Sequence, residues 1–312
     1  MWDNYPAIKA ELAAFEEYLV EKLSSRNEFL KTACRSAVLS GGKRLRPAFT
    51  IITAMSGNYR REVVFPAAAS VEILHTATLI HDDIIDCART RRGQPTVSEK
   101  HGINLAVYTG DYLLAKSLRL LVETGLKPER LDVLARAVSM ICEGEIDQYL
   151  GKYEIASVHV YLKRIMRKTG ILFSAASLLG AKAGDLDESS IKLFARFGLS
   201  FGTAFQIKDD ILDMESSERV EGKPVINDLK EGIVTLPVIF AVRNNPELKG
   251  EIEGFFDGKG DVREILKQVS SSGGPKDSQA LKQKYVERCR KYLSLLPDSI
   301  AARALAEITE WL

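Results

Sequence analysis

The sequence predicts an all-α fold: a single domain over residues 1–312, built as one large helical bundle around a central cavity. Three observations predict it. Apolar residues recur at spacings of three and four along nearly the whole chain. No run alternates apolar and polar residues as a half-buried strand does, and there is no short internal repeat. The helical pattern crosses two acidic clusters without a linker between them, and a hydrophobic content of 46% over 312 residues is enough for a large core.

The elements follow in order. Met1 to Leu23 sets Tyr5, Ile8, Leu12, Phe15 and Leu19 on one stripe with acids between them, an amphipathic helix too acidic for a signal or transit peptide. Arg26 to Leu39 is the second helix, stopped by Ser40-Gly41-Gly42. Pro47 suits a first helical turn, and Ala48 to Met55 continues it. Gly57-Asn58 is a turn. Pro66 to Asp86 reads as one long, mostly apolar helix, and Arg89 to Lys100, with Gly93 and Pro95, as a loop. Ile103 to Thr124, Pro128 to Tyr149 and Val160 to Ala183 are helices, the last with Lys168-Thr169 inside it. Glu188 to Met214 is a long helix, and Glu215 to Asn227, with Gly222 and Pro224, a polar loop. Asp228 to Arg243 is kinked or broken at Pro237. Glu251 to Phe256, Val262 to Ser270, Ser278 to Leu295 and Ser299 to Trp311 are shorter helices, with a loop from Ser270 to Pro275. No apolar run reaches the ~18 residues of a membrane span. Leu113 to Leu126 comes nearest, and Lys116, Arg119 and Glu123 interrupt it.

The net charge of +1 gives no support for bulk nucleic-acid binding. Cys34, Cys87, Cys142 and Cys289 are scattered with no C-x-x-C pair, the pattern of reduced thiols, so a cytoplasmic protein with at most peripheral membrane contact is expected.

The chemistry concentrates in two stretches. His81-Asp82-Asp83-Ile84-Ile85-Asp86 and Lys208-Asp209-Asp210-Ile211-Leu212-Asp213 each carry D-D-x-x-D within an apolar helix. The outer aspartates are i and i+4, so they share a face and repel. Paired carboxylates serve as a glycosidase acid/base pair, a metal site or a solvated face. Six exceed what an acid/base pair needs, and the flanking Leu79, Ile80, Ile207 and Ile211 disfavour a solvated face. Carboxylates without nearby His or Cys suit Mg²⁺, which keeps waters and takes substrate phosphates. Gly41-Gly42-Lys43-Arg44-Leu45-Arg46 is a turn displaying three cations, and Arg91-Arg92 follows the first acidic cluster. Arginine forks match phosphate oxygens. One metal-bridged and one cationic anion site point to two diphosphate substrates. An all-α bundle builds such sites from facing helices, so the two acidic helices are expected to face each other across a cavity.

These motifs, from the Gly-Gly-Lys turn to Thr235-Leu236-Pro237, resemble the all-trans isoprenyl diphosphate synthases of the polyprenyl synthetase family. The resemblance implies an all-α isoprenoid-synthase bundle, usually a homodimer. It also implies Mg²⁺ held on an allylic diphosphate by Asp82, Asp83, Asp86, Asp209, Asp210 and Asp213, with Asp82, Asp86 and Asp209 as the metal ligands. Lys43, Arg46, His75 and Arg92 match the isopentenyl diphosphate site. Arg91, Lys168, Thr169, Gln206 and Lys223 match the groups on the allylic diphosphate, with Lys168 also counted with the catalytic residues. In the implied reaction the allylic C–O bond ionises, the double bond of isopentenyl diphosphate attacks the cation, and a proton leaves to the departing diphosphate. No protein nucleophile is needed, and no Ser-His or Cys-His constellation is present. Glu231-Gly232-Ile233 has Ile where many members carry Lys. Ser98 stands where many carry His or Asn.

The first motif is a plain D-D-x-x-D. Ala77 and Thr78 stand where short-chain members place an aromatic floor, so the resemblance points to a long product, hexaprenyl to octaprenyl. Tyr108-Thr109-Gly110-Asp111-Tyr112 and Gly232-Ile233-Val234-Thr235-Leu236-Pro237 are most similar to the catalytic subunit of heptaprenyl diphosphate synthases. Such enzymes work with a small non-catalytic partner subunit, which is expected here as an alternative to the homodimer. Three alternatives stand beside this reading. A terpene cyclase lacks the second cationic site. A non-catalytic subunit would lose central aspartates. A short-chain synthase would need an aromatic block from Phe173, Phe201 or Phe205.

Overall fold

The structure, a computed structural model, describes residues 2–217 and 228–312. It is almost wholly helical. The helices are α1 (Pro6–Lys22), α2 (Glu28–Leu39), α3 (Leu45–Ala54), α4 (Arg61–Ile85), α5 (Val97–His101), α6 (Ile103–Glu123), α7 (Pro128–Leu150) and α8 (Val158–Ile165). A π-helical turn (Met166–Gly170) joins α8 to α9 (Ile171–Ala183). Then come α10 (Glu188–Ser217), α11 (Leu236–Asn244), α12 (Leu248–Phe256), α13 (Val262–Ser271), α14 (Gly274–Ser294) and α15 (Ile300–Glu310).

The chain falls into two compact units. One comprises residues 1–135, 175–195 and 295–308, and the other 136–174, 196–294 and 309–312. In the first, α1 buries Ile8, Phe15 and Leu19 of the predicted stripe and leaves Tyr5 and Leu12 half-buried. Phe15 and Leu19 join Ile51, Phe65, Ile73, Ala77 and Leu113 in one core, with α4 packed between α3 and α6. The α9 helix approaches α3 closely: a Cβ at Gly180 would sit 2.2 Å from the Thr50 carbonyl oxygen, and the Thr50 hydroxyl donates to the Ala176 carbonyl at 3.1 Å. In the second unit the core is aromatic. Phe197 and Phe201 on α10 pack 6.1 Å apart, and Phe173 lies 5.3 Å from Phe201.

Several elements differ from the expectation. The long helix starts at Arg61, so Pro66 lies buried inside it; it lacks only the bond to the Glu62 carbonyl, within the first turns, which packing on both sides outweighs. By length and composition α4 is also apolar enough to cross a membrane, and 83% of its apolar stretch is buried inside the protein. Glu72 and His75 interrupt the run, which is why counting uninterrupted residues passed over it. The Arg89–Lys100 stretch holds a two-residue antiparallel ladder, β1 (Thr90–Arg91) with β2 (Gln94–Pro95), and then α5. Arg92 and Gly93 turn the hairpin with φ of 51° and 73°, both left-handed as the tightest hairpins require. The helix expected over Asp228 to Arg243 is broken, but over 231–235 and not at Pro237: α11 starts at Leu236 and Pro237 sits in its first turn, where a proline is tolerated.

Candidate functional site

In the first unit the site grows from the end of α4. The helix stops at Ile85, but the Asp86 N–H still donates to the Asp82 carbonyl at 2.8 Å, so the i, i+4 relation of the outer aspartates holds. Asp86 is exposed and Asp82 half-buried. Asp83 points the other way. It is buried, and its Oδ1 accepts from Arg91 Nε at 2.7 Å. Burial raises the Asp83 pKa, and Arg91 opposes the rise. The middle aspartate thus ties the helix end to the hairpin.

The cationic residues are unequal. Lys43 is exposed. Arg44, with a φ of 48°, turns inward to Glu72 and Glu16 at 2.8 Å each, so the turn does not display three cations as expected; two carboxylates draw the middle one into the protein. Arg46 Nη1 lies 3.1 Å from His75 Nε2. Since arginine only donates, His75 accepts there. Burial, then the charges of Arg46, Arg92, Arg91 and Arg44, hold its pKa well below the ordinary histidine value, so the ring is neutral. Arg92 donates to the Gly41 carbonyl and lies flat on Gly42, where a Cβ would come within 2.9 Å of its Nη1. The φ of 121° at Gly42, a conformation that favours glycine, explains the second glycine of the pair. A cavity of about 50 Å³ lies here, lined by Glu72, His75, Asp83, Arg91, Arg92 and Lys100 among others. Of the expected chain-length pair, Ala77 is buried in the core. The Thr78 hydroxyl donates to the His75 carbonyl at 2.8 Å.

In the second unit α10 carries Gln206, Asp209, Asp210 and Asp213. Asp210 repeats the behaviour of Asp83. It is buried, and accepts from the Tyr161 hydroxyl at 2.7 Å and from Gln206 Nε2 at 2.9 Å. The Thr169 hydroxyl donates to Gln206 Oε1 at 2.7 Å, so Thr169, Gln206 and Asp210 form one chain. Burial pushes Asp210 up to about 6, with the bonds from Tyr161 and Gln206 pulling it back. Burial also raises Asp213. Lys168 Nζ lies 2.9 Å from Glu145 Oε1. Lys168 and Thr169 sit in the π turn and not in a continuous helix as expected; such turns are frequent at functional sites. Lys223 lies outside the described residues.

Four groups escaped sequence reasoning. Tyr161 and Arg164 on α8 support the second motif: Arg164 is buried, donates to the Val234 carbonyl at 2.8 Å, and its charge lowers the Asp210 pKa. Asp228 is pushed up to about 7 by burial and by the charges of Asp210, Asp213 and Glu231, so it belongs to the same acidic cluster. Glu72 is the fourth. Only the 3–4 spacing of Glu72 to His75 and Thr76 on α4 offered a signal. Phe173 and Phe201 are fully buried in mutual contact, while Phe205 is half-buried with its ring 6.0 Å from Trp311. Among the described residues no three His, Cys, Asp or Glu side chains form a ready-made metal cage.

Residues 27–271 match the polyprenyl synthetase family. The chain is 34% identical over 311 residues to heptaprenyl diphosphate synthase component 2 of Bacillus subtilis, covering 99% of this chain and 89% of that protein. It is likewise 34% identical over 311 residues to nonaprenyl diphosphate synthase of Mycobacterium tuberculosis, covering 98% and 92%. Among solved structures, geranylgeranyl pyrophosphate synthase from Lactobacillus brevis superposes with a TM-score of 0.94 at 28% identity, over 99% of this chain and 98% of that one. Polyprenyl synthase from Caulobacter crescentus, complexed with calcium and isoprenyl diphosphate, superposes with a TM-score of 0.89 at 30% identity, over 97% and 94%. With both aspartate motifs, the cationic turn and the all-α fold in place, the chain belongs to the polyprenyl synthetase family and is a trans-prenyltransferase.

Proposed function

We propose that the chain is a long-chain synthase. It condenses isopentenyl diphosphate with an allylic diphosphate, farnesyl or geranylgeranyl, and makes a hexaprenyl to octaprenyl product, heptaprenyl first. The observation that carries the reading is the division of labour in the two motifs. Each anchors its middle aspartate in the scaffold and sets its outer pair at i and i+4, and an arginine-rich cluster stands beside the first. The small residues Ala77 and Thr78 and the similarity to heptaprenyl and nonaprenyl synthases support a long product.

The donor set fits Mg²⁺. Asp82, Asp86 and Asp209 offer carboxylate oxygens only, and magnesium is usually held by one or two carboxylates with waters and substrate phosphates. When bound it would neutralise charge on the leaving diphosphate. The chain's own residues do the rest. Lys43, Arg46 and Arg92 bind isopentenyl diphosphate, with neutral His75 fixing the Arg46 fork. Arg91, Lys168, Thr169, Gln206 and, outside the described residues, Lys223 address the allylic diphosphate. In this reading both motifs serve one allylic diphosphate within a single catalytic domain. The homodimer stays the first assembly proposed. The "component 2" in the Bacillus name supports a small partner subunit as the second, and the cytoplasm is the proposed location.

The test is incubation of the purified chain with farnesyl diphosphate, excess isopentenyl diphosphate and Mg²⁺, with mass spectrometry of the products. Long prenyl diphosphates, lost on chelation and in Asp82→Ala, are expected. A product stopping at geranylgeranyl would sink the long-chain reading; the Phe173–Phe201–Phe205 cluster and the likeness to the Lactobacillus brevis enzyme favour that second reading. Product formed only after a partner subunit is added would replace the homodimer with a heteromer.

A further inference from the structure

Glu72 is 6% exposed on α4, one turn before His75 and Thr76. A buried carboxylate is destabilising unless charge and hydrogen bonds compensate it. Arg44 provides both: its Nη1 lies 2.8 Å from Glu72 Oε1 and its Nε 2.8 Å from Glu16 Oε1, with the Arg44 side chain only 14% exposed. Arg44 takes the left-handed φ of 48°, which a non-glycine residue holds only when its surroundings impose it. This conformation draws Arg44 inward from the turn that carries Lys43 and Arg46.

Glu72 also lines the cavity that contains His75, Arg91 and Arg92. Four guanidinium groups, those of Arg46, Arg92, Arg91 and Arg44, bear on His75 at once. Such a cluster repels itself before any diphosphate arrives. Asp83 balances it at the hairpin end through Arg91, and Glu72 balances it at the other end through Arg44. The charge of Glu72 reaches Arg92 as well. Burial lowers the Arg92 pKa, Glu72 raises it again, and Arg44 and Arg91 lower it.

We propose that Glu72 is a positioning residue for isopentenyl diphosphate: by holding Arg44 inward and balancing the arginine cluster, it keeps Arg46 and Arg92 presented to the diphosphate. The inference rests on the assignment of Lys43, Arg46, His75 and Arg92 to that substrate. Glu72 touches no reacting atom, so its loss acts on binding of one substrate and not on the chemical step.

Steady-state kinetics of the full chain test it, each substrate being varied at saturation of the other. Glu72→Gln is expected to raise KM for isopentenyl diphosphate about tenfold, the effect of losing roughly one charge-assisted bond. KM for the allylic diphosphate and kcat at saturation stay within about twofold. Glu72→Asp, which keeps the charge, recovers most of the loss. Arg44→Gln removes the same pair from the other side and raises the same KM; it carries the test if circular dichroism finds Glu72→Gln unfolded. The double variant is no worse than the worse single, because the two residues act as one unit. An equal rise in both KM values, a fall in kcat with KM for isopentenyl diphosphate unchanged, or additive losses would overturn the proposal. A wild-type chain that forms no prenyl product, alone or with a partner subunit added, fails the substrate assignment and this inference with it. A wild type that forms product, with the split absent in the variants, fails the inference alone.

Discussion

Removing the Tyr161 hydroxyl tests whether the second motif depends on a scaffold bond. Tyr161 is fully buried and donates to Asp210 Oδ2 at 2.7 Å, while Asp210 itself is 8% exposed. In Tyr161→Phe the carboxylate keeps Gln206 but loses its shortest donor. A hydrogen bond to a charged group contributes about 1.5–3 kcal/mol and one between neutral groups about 1. The cost therefore depends on whether Asp210 is ionised. Burial already pushes it from the ordinary 3.8 to about 6. The folded protein then holds this proton more tightly than the unfolded chain does, so its contribution to stability is present below pH ~4 and is lost as pH rises to about 6. Without the hydroxyl, the preference of about 1–2 kcal/mol for the ionised form disappears, and Asp210 moves up by about one pH unit, to about 7. Equilibrium urea unfolding of the metal-free protein should show Tyr161→Phe costing about 1 kcal/mol at pH 5 and about 2–3 kcal/mol at pH 8. A carbon-13 titration of the aspartate carboxyls should show one group displaced to higher pH. At neutral pH the partly protonated motif should raise KM for the allylic diphosphate. An equal cost at both pH values, or a smaller one at pH 8, would refute the bond to an ionised Asp210.

Two further outcomes rest on packing. Gly180→Ala places a Cβ 2.2 Å from the Thr50 carbonyl oxygen, backbone that cannot swing aside. It should destabilise the first unit by about 3 kcal/mol or more, read as an early melting step by circular dichroism; an unchanged melting curve would contradict the close α3–α9 approach. Of the four thiols, Cys34 and Cys289 are buried and Cys87 and Cys142 exposed. Burial pushes Cys34 up to about 11 and raises Cys289 as well. Ellman's reagent at pH 8 should therefore titrate two thiols in the native protein and four in denaturant, and fast reaction of all four would contradict the burial.

What the sequence made legible is what depends on local spacing. The stripe Ile8, Phe15, Leu19 is a helix face because three- and four-residue steps close a turn, and the structure buries that same stripe. The i, i+4 relation of Asp82 and Asp86 is likewise local, and it survives the end of α4. What it hid depends on partners far along the chain. Nothing near Lys168 announces a π turn. Three consecutive-looking cations, Lys43, Arg44 and Arg46, read alike until Glu72, 28 residues away from Arg44, draws one inward. Asp228 joins Asp210 and Asp213 with no fixed spacing to mark it.

The two acidic motifs join both kinds of information. In D-D-x-x-D the second aspartate lies about 100° around the helix from the first, the angle of one residue in 3.6. It therefore cannot share the face of the outer pair and must find its own partner. Asp83 finds Arg91, eight residues on, and Asp210 finds Tyr161, 49 residues back. The doubled aspartate thus sets one anchor beside one carboxylate of the outer pair. The anchor makes the orientation of the outer pair depend on a residue outside the motif. Altering Arg91 or Tyr161 then changes how the remaining carboxylates are presented without touching any of them. The motif alone specifies a site only when its anchoring partner is also present, and in this chain both partners are.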